Sequence, residues 1–481
     1  MHIIDIIIII VYMLCLMGIG IYFWRKNKSA DDYYVGGRSM NKFAISLSVV
    51  ATDVGGGFSI GLGGLGFLMG LSGSWMLFTG LLGAWLSAVF LIPKAGKLSR
   101  KLKIYTFPQL FEFFYSPRVA LLAGIISAIG YIGFTSSQLL AGAKLASATF
   151  IGLDMTTALI VMGAIAIIYT SIGGIKAVVY TDVVQWIILL IGLILIGIPL
   201  AYNAIGGIDV IRETLPAEFL TLNNIEWYTI VNWGVTIIPI WFVGMTLYQR
   251  LYASRSPKEA QKAWYIAGIF EWPIMAFMGV ILGLFARVAY ENGMFAYMGF
   301  GPGEMMDSEM GLPFLLRTIL PVGLLGLLIT AYFSAVMSTA DSCIMAASGN
   351  IESDILSKIR SVPKSKRSRL IQSQFITLGI GLLGLLIALQ MENVLELMLH
   401  SYAFMVSGLF VPVLGAFFTK RGSATAAFWA MIVGGSTTLS LTLLSVQLPY
   451  GLDPNVFGIT TSAVCYIILS ILFPGRKNVL A

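Results

Sequence analysis

Charge is what this 481-residue chain has least of: Asp, Glu, Lys and Arg make up 11% of it, against 58% hydrophobic residues. A water-soluble domain keeps its surface wetted with roughly a quarter of its residues charged. That shortage excludes an ordinary soluble enzyme, and the apolar residues fall in long runs rather than in strict alternation. The bilayer is therefore the solvent. Cysteine is scarce too. Cys15, Cys343 and Cys465 lie far apart in apolar segments with no CxxC spacing, which argues against disulfides and zinc. No nucleotide-binding loop, phosphorylated-Asp motif or soluble domain of catalytic size is present, so neither an enzyme nor an ATP-driven pump is expected, and no organic cofactor.

What the chain has instead is helix-length apolar sequence. A crossing needs about 20 apolar residues. Thirteen segments qualify, near 3–24, 41–69, 73–93, 117–150, 155–172, 178–202, 226–250, 260–290, 321–355, 370–391, 393–419, 423–447 and 456–474. The first has no basic residue ahead of it and no small-residue cleavage pattern after it, and reads as a retained helix. This predicts an all-α polytopic membrane protein with 13 transmembrane helices.

The net charge of +7 suggests nucleic acid only until its placement is read. Cations gather in every second connector, including Arg25, Lys26, Lys28 and Arg38, then Lys94 to Lys103, Lys176, Arg250 to Lys262, Lys358 to Arg369, and Lys420 with Arg421. The intervening connectors are uncharged or acidic, with Asp154, Glu213, Glu291, Asp307 and Glu309 among them. Positive connectors stay in the cytoplasm. The alternation predicts a plasma-membrane protein with its N-terminus outside and its C-terminus inside. No nucleic-acid partner is expected, and a monomer is expected to suffice.

Two segments carry interruptions. The second reads Ala51-Thr52-Asp53-Val54-Gly55-Gly56-Gly57-Phe58, and each mid-helix Gly weakens a helix by about 1 kcal/mol relative to Ala. The seventh carries Pro239 and Gly244, and Pro removes a backbone donor. Counting from the first interrupted helix to the second gives five, an odd number, so the second block of five starts on the opposite face. That is an inverted-topology repeat with a midplane site. Glycine also serves close helix packing, but a triple Gly beside an Asp, matched by a Pro/Gly break, favours an unwound site. The expected division is 1–40 as an extra helix and cytoplasmic loop, 41–202 and 226–419 as the two repeats, 203–225 as an extracellular connector, and 420–481 as two final helices and a tail.

Charges inside hydrocarbon mark function. Asp53, Asp182, Glu271 and Asp341 lie well inside expected spans. Ser338, Asp341 and Ser342 share one helical face and offer only oxygen, as a dehydrated hard cation requires. Hydroxyls in membrane helices also bond back to the preceding turn, but two nearby aspartates favour cation binding.

Here the residues carry a family resemblance. From Asp31-Asp32-Tyr33-Tyr34-Val35-Gly36-Gly37-Arg38, through Gly173-Gly174 and Tyr180-Thr181-Asp182-Val183-Val184-Gln185, to Ser334-Ala335-Val336-Met337-Ser338-Thr339-Ala340-Asp341-Ser342, the chain resembles the sodium:solute symporter family. The resemblance implies a LeuT-like fold of five plus five helices with extra helices at both ends. It implies a first sodium ion held by the carbonyls of Ala51, Val54 and Ala335 and the hydroxyls of Ser338 and Thr339. Positions matching a second sodium site are Asp182, Ser338, Asp341 and Ser342. Asp53 matches an aspartate of proline transporters. The run around it also resembles the choline branch, which has Trp at that position, so an aromatic partner for a quaternary ammonium is missing.

The expected function is sodium-coupled import of a small organic solute (amino acid, carboxylate or organic cation) by alternating access. Candidate solute contacts beside the breaks are Asp53, Gly55, Gly57, Phe58 and Trp241, with Gln138 (beside Ser136 and Ser137) and Tyr402 from the sides. Glu271 is either a solute contact or structurally paired, and His400 has no assigned role. Proton coupling, passive transport and a solute sensor are the competing readings.

Overall fold

Backbone N–H and C=O groups find no partners in lipid, so a chain this apolar must satisfy them internally. The computed structural model, which describes residues 2–26, 30–38, 40–53, 55–150, 152–359, 365–419 and 422–475, does so with helices and has no strand among them. In chain order the main helices begin with α1 (Ile3–Lys26), α2 (Lys42–Asp53), α3 (Gly55–Met69) and α4 (Trp75–Phe90). Next come α5 (Pro117–Thr149), α6 (Met155–Ile191), α7 (Trp227–Val243) and α8 (Met245–Ala253). The second half holds α9 (Pro257–Ile269), α10 (Ala276–Glu291), α11 (Ser308–Ile319) and α12 (Leu324–Asn350). Last are α13 (Lys366–Ala388), α14 (Val394–Phe418), α15 (Ala424–Leu443) and α16 (Pro454–Leu472).

Among the described residues, eleven helical stretches are long and apolar enough to cross a bilayer. The expected thirteen crossings are not established. The difference lies in two stretches that the sequence had divided. Ser59–Phe90 runs through a turn at Gly70 (φ +64°), and Met155–Ala204 through one at Gly174 (φ +68°). Fifty residues of straight helix would span about 75 Å, more than twice the ~30 Å hydrocarbon core.

The expected breaks are present, with one shifted. Between α2 and α3 lies Val54, which is outside the described residues. The seventh segment passes through Pro239 as helix and breaks at Gly244 (φ −66°, ψ 110°) instead. A proline here removes one donor without unwinding the turn, and the chain leaves helical geometry five residues later. An unexpected third departure sits at Trp272 (φ −141°, ψ 125°), between α9 and α10.

Burial orders the helices. In α12 and its continuation, 89% of the spanning window is inside the protein; in α1 the share is 11% and in α16 it is 22%. Thus α12 is the core helix, and α1 and α16 are peripheral. Asp5 of α1 is buried nonetheless, because its Oδ1 accepts the N–H groups of Gly323 (2.7 Å) and Gly326 (2.9 Å) at the start of α12. That carboxylate caps the core helix. Elsewhere α3 and α10 cross almost backbone to backbone: a Cβ on Gly66 would lie 2.2 Å from the Val280 carbonyl oxygen. Small residues at such crossings let membrane helices approach.

One charge inside a helix escaped the sequence reading. Lys144 of α5 is buried, with its Nζ 2.5 Å from Asp307 and 2.6 Å from Glu309. Glu309, expected in an exposed connector, is also buried and accepts the N–H groups of Val394 and Leu395 at 3.0 Å each. The carboxylate thereby joins α11, α5 and the N-terminus of α14, where negative charge is favoured.

Candidate cation and solute site

Where α2 stops, its last carbonyls have no helical partner. Thr339 of α12 reaches that end: its hydroxyl donates to the Ala51 carbonyl at 3.0 Å and to the Ala335 carbonyl at 3.2 Å. All three residues are buried. Gly55, the first residue of α3, presses against the same hydroxyl. A Cβ there would lie 2.3 Å from Thr339 Oγ1, and the backbone is left-handed (φ +49°). Both facts require glycine. Gly55, expected as a solute contact, therefore packs directly on Thr339, an expected cation ligand. The result is a cluster of uncharged oxygens, two carbonyls and one hydroxyl, at the junction of a broken and a continuous helix. The side chains of Asp53 and Phe58 and the surroundings of Gly57 lie outside what is described.

On the adjoining face of α12 the chemistry changes. Ser338, expected at both sites, donates its hydroxyl to Oδ1 of Asp182 on α6. Ser48 of α2 donates to the other carboxylate oxygen at 2.5 Å. Into this group reaches Arg250 of α8. Its Nη2 lies 3.6 Å from Asp182 Oδ2 and donates to Ser342 at 2.6 Å, while its Nε donates to Ser48 at 3.2 Å. Thr52 and Ser342 hydroxyls meet at 3.3 Å. Arg250 and Asp182 are both wholly buried. Asp341 stands apart, accepting from Thr170 of α6, a residue that also offers its carbonyl to Tyr33 at 3.3 Å. So three of the four oxygen-bearing residues expected for a second ion, Asp182, Ser338 and Ser342, are brought together, but around a guanidinium.

A broken helix packed on a hydroxyl-bearing one, with uncharged oxygens between them, suits a hard monovalent ion. The family model described as "Sodium:solute symporter family" matches residues 33–434. The chain belongs to the sodium:solute symporter family. It couples sodium to the import of a small solute across the membrane. Among its relatives is the high-affinity proline transporter PutP of Bacillus subtilis, 28% identical, with 88% of each chain covered. The osmoregulated proline transporter OpuE of the same organism is 26% identical over 96% of this chain and 93% of its own. The fold matches a substrate-bound, outward-open Na+-coupled sialic acid symporter with a TM-score of 0.81, at 25% identity and 99% coverage of both chains. That structure confirms the LeuT-like class.

In this symporter the expected solute contacts are less gathered than the expected cation ligands. Trp241, near the end of α7, is buried against Gly83 of α4 and meets Trp264 edge-on at 6.4 Å. Tyr402 is buried edge-on to Phe134 at 4.7 Å. Gln138 is buried on α5 and donates to Ser137 at 3.3 Å. Glu271 is wholly buried and lies against Gly80, where a Cβ would come within 2.4 Å of its carboxylate. His400 is exposed at a polar cavity shared with Glu396 and Asp453. Two residues were missed. Tyr131 of α5 takes the Thr246 N–H on its hydroxyl (3.2 Å), capping α8 right after the Gly244 break. No sequence signal marks it. Arg250 looked like a connector cation, yet it stands only six residues beyond Gly244, and that short distance from a break is a usable signal.

Proposed function

We propose that this symporter moves one sodium ion with each solute molecule, and that the ion sits at Ala51, Ala335 and Thr339. The observation that supports this reading is the contrast between the two oxygen clusters. At the first, every ligand is neutral, so an arriving Na+ supplies the only charge. At the second, Arg250 already balances Asp182, and a second sodium would have to displace a tethered guanidinium from a buried ion pair. The Val54 carbonyl is assigned to the first site by family resemblance alone. Asp341, held by Thr170, keeps no sodium role in this reading.

The solute is proposed to be a small amino acid. Helices α3 and α8 both begin at breaks, and the positive end of a helix favours a carboxylate. The hydroxyl of Tyr131 lies at the second of these ends. With proline transporters at 28% identity, L-proline is the first solute to try. The orientation follows from the cationic connectors: N-terminus outside, C-terminus cytoplasmic.

The test is uptake of labelled L-proline, followed by a panel of other amino acids, into proteoliposomes under imposed sodium or proton gradients. Accumulation driven by sodium is expected, with the half-saturating sodium concentration raised in Thr339→Ala and kept near wild type in Thr339→Ser. Accumulation that follows the proton gradient and ignores sodium would contradict the reading.

A further inference from the structure

Two apolar grooves lie on either side of α1, at the end of the helix that carries its cations. The larger, about 720 Å³, runs between α1 and α6 from Tyr12 to Phe23 and is walled on the far side by Val184. The smaller, about 410 Å³, lies between α1, α6 and α13 at Trp24, Ile172 and Phe375. Their outer walls face lipid: Val184 is 55% exposed and Phe375 69%. We propose that the grooves hold the two acyl chains of one anionic phospholipid, which straddles α1 with its headgroup at Arg25, Lys26 and Arg367.

Dimensions and charge commit the site to that occupant. Tyr12 to Phe23 spans about 16 Å of helix, half of the ~30 Å hydrocarbon core, which is the depth of one leaflet. Arg25 and Lys26 follow within one turn of Phe23, and the Lys26 ammonium lies 4.4 Å over the ring of Tyr22, itself a wall of the larger groove. Arg367 sits in the first turn of α13, about 10 Å along the helix from the groove wall at Gln374. Arg25, Lys26 and Arg367 make no ion pair among the described residues. Trp24 and Tyr22 stand at the level where aromatic side chains meet headgroups. A zwitterionic lipid would fill both grooves but bring its phosphate with a balancing ammonium, whereas a headgroup of net negative charge answers the three cations. The lipid would also bear on transport. Thr181 lines the larger groove and precedes Asp182, the partner of Arg250. The helix between the chains is the one whose Asp5 caps α12.

Native mass spectrometry of the detergent-purified chain tests this after exposure to equal amounts of phosphatidylglycerol and phosphatidylcholine with the same acyl chains. Wild type should retain one phosphatidylglycerol, favoured about fivefold or more over phosphatidylcholine. Combined Arg25→Gln, Lys26→Gln and Arg367→Gln should bring the two to parity. Gly18 lines the larger groove, and nothing lies within 4 Å of a Cβ built there. Gly18→Trp should therefore fold, occupy the groove and lose the retained lipid whatever its headgroup. Equal retention of both lipids by wild type, which needs no variant, would overturn the proposal. So would a Gly18→Trp chain that keeps its lipid.

Discussion

Two oxygen clusters stand on adjoining faces of α12 and deal with positive charge by opposite means. Around Thr339 the oxygens are carbonyls and a hydroxyl, all neutral, gathered where α2 ends. Around Ser338 and Ser342 the ligands include the carboxylate of Asp182, and the cation among them, Arg250, is covalently part of the protein. A buried carboxylate without a partner is costly by several kcal/mol, so Asp182 needs a positive charge at every stage of the cycle. Neutral oxygens make no such demand. A site that must fill and empty is better built from them, and a permanently paired carboxylate is better used to fix three helices, α6, α8 and α12, in register.

The comparison can be broken at several points. Gly55→Ala should have the largest effect, because it drives a Cβ into Thr339 Oγ1 and strains a left-handed backbone. Uptake should fall on the order of 100-fold, as an ångström of misplacement does at a reacting centre; wild-type uptake would show that the cluster is not where the ion binds. Arg250→Ala comes next, since it leaves Asp182 buried and unpaired. A loss of about 3–5 kcal/mol in stability is expected, read as a lowered unfolding temperature in detergent, and adding Asp182→Asn should recover most of it. No recovery in the double variant would mean that the two residues act separately.

Smaller changes sharpen the contrast. Thr339→Ala removes one neutral ligand and should raise the half-saturating sodium concentration about tenfold, the effect of ~1.4 kcal/mol from one hydrogen-bonding group to a charge. The solute KM at saturating sodium should change much less. Tyr131→Phe should do the reverse. Losing the cap on α8, worth about 1 kcal/mol, should raise the solute KM roughly fivefold and leave sodium affinity near wild type. If both variants moved both constants equally, the two breaks would not be separate ion and solute determinants.

How much of this was legible in the sequence differs from place to place. The first break was fully visible, because Gly55-Gly56-Gly57 is a strong local signal that the tertiary structure had no reason to override. Thr339, Ala51 and Ala335 came from family resemblance, and the structure does bring them together. The second break was legible only to within a few residues. Pro239 is the stronger breaker on paper, yet a membrane helix absorbs it, and the chain opens at Gly244. Arg250 was misread for the same reason. If α7 is taken as one straight helix ending near residue 250, its arginine lands in a connector. With the break at Gly244, a second short helix carries the guanidinium back into the core. Lys144 and Glu309 were illegible, since their pairing depends on how α11 folds over α3, a long-range fact that no local pattern encodes. The count of thirteen crossings is not established, because Ser59–Phe90 and Met155–Ala204 each run on as one apolar stretch through a turn, at Gly70 and at Gly174.

The sodium-to-solute flux ratio in proteoliposomes tests the central claim most directly. It is obtained from the sodium gradient that just balances a known solute gradient at a fixed membrane potential. The account predicts a ratio of one with Arg250 in place, because only the neutral cluster exchanges its ion. A ratio of two in the unmodified chain would contradict it, and would mean that sodium reaches Asp182 despite the guanidinium beside it.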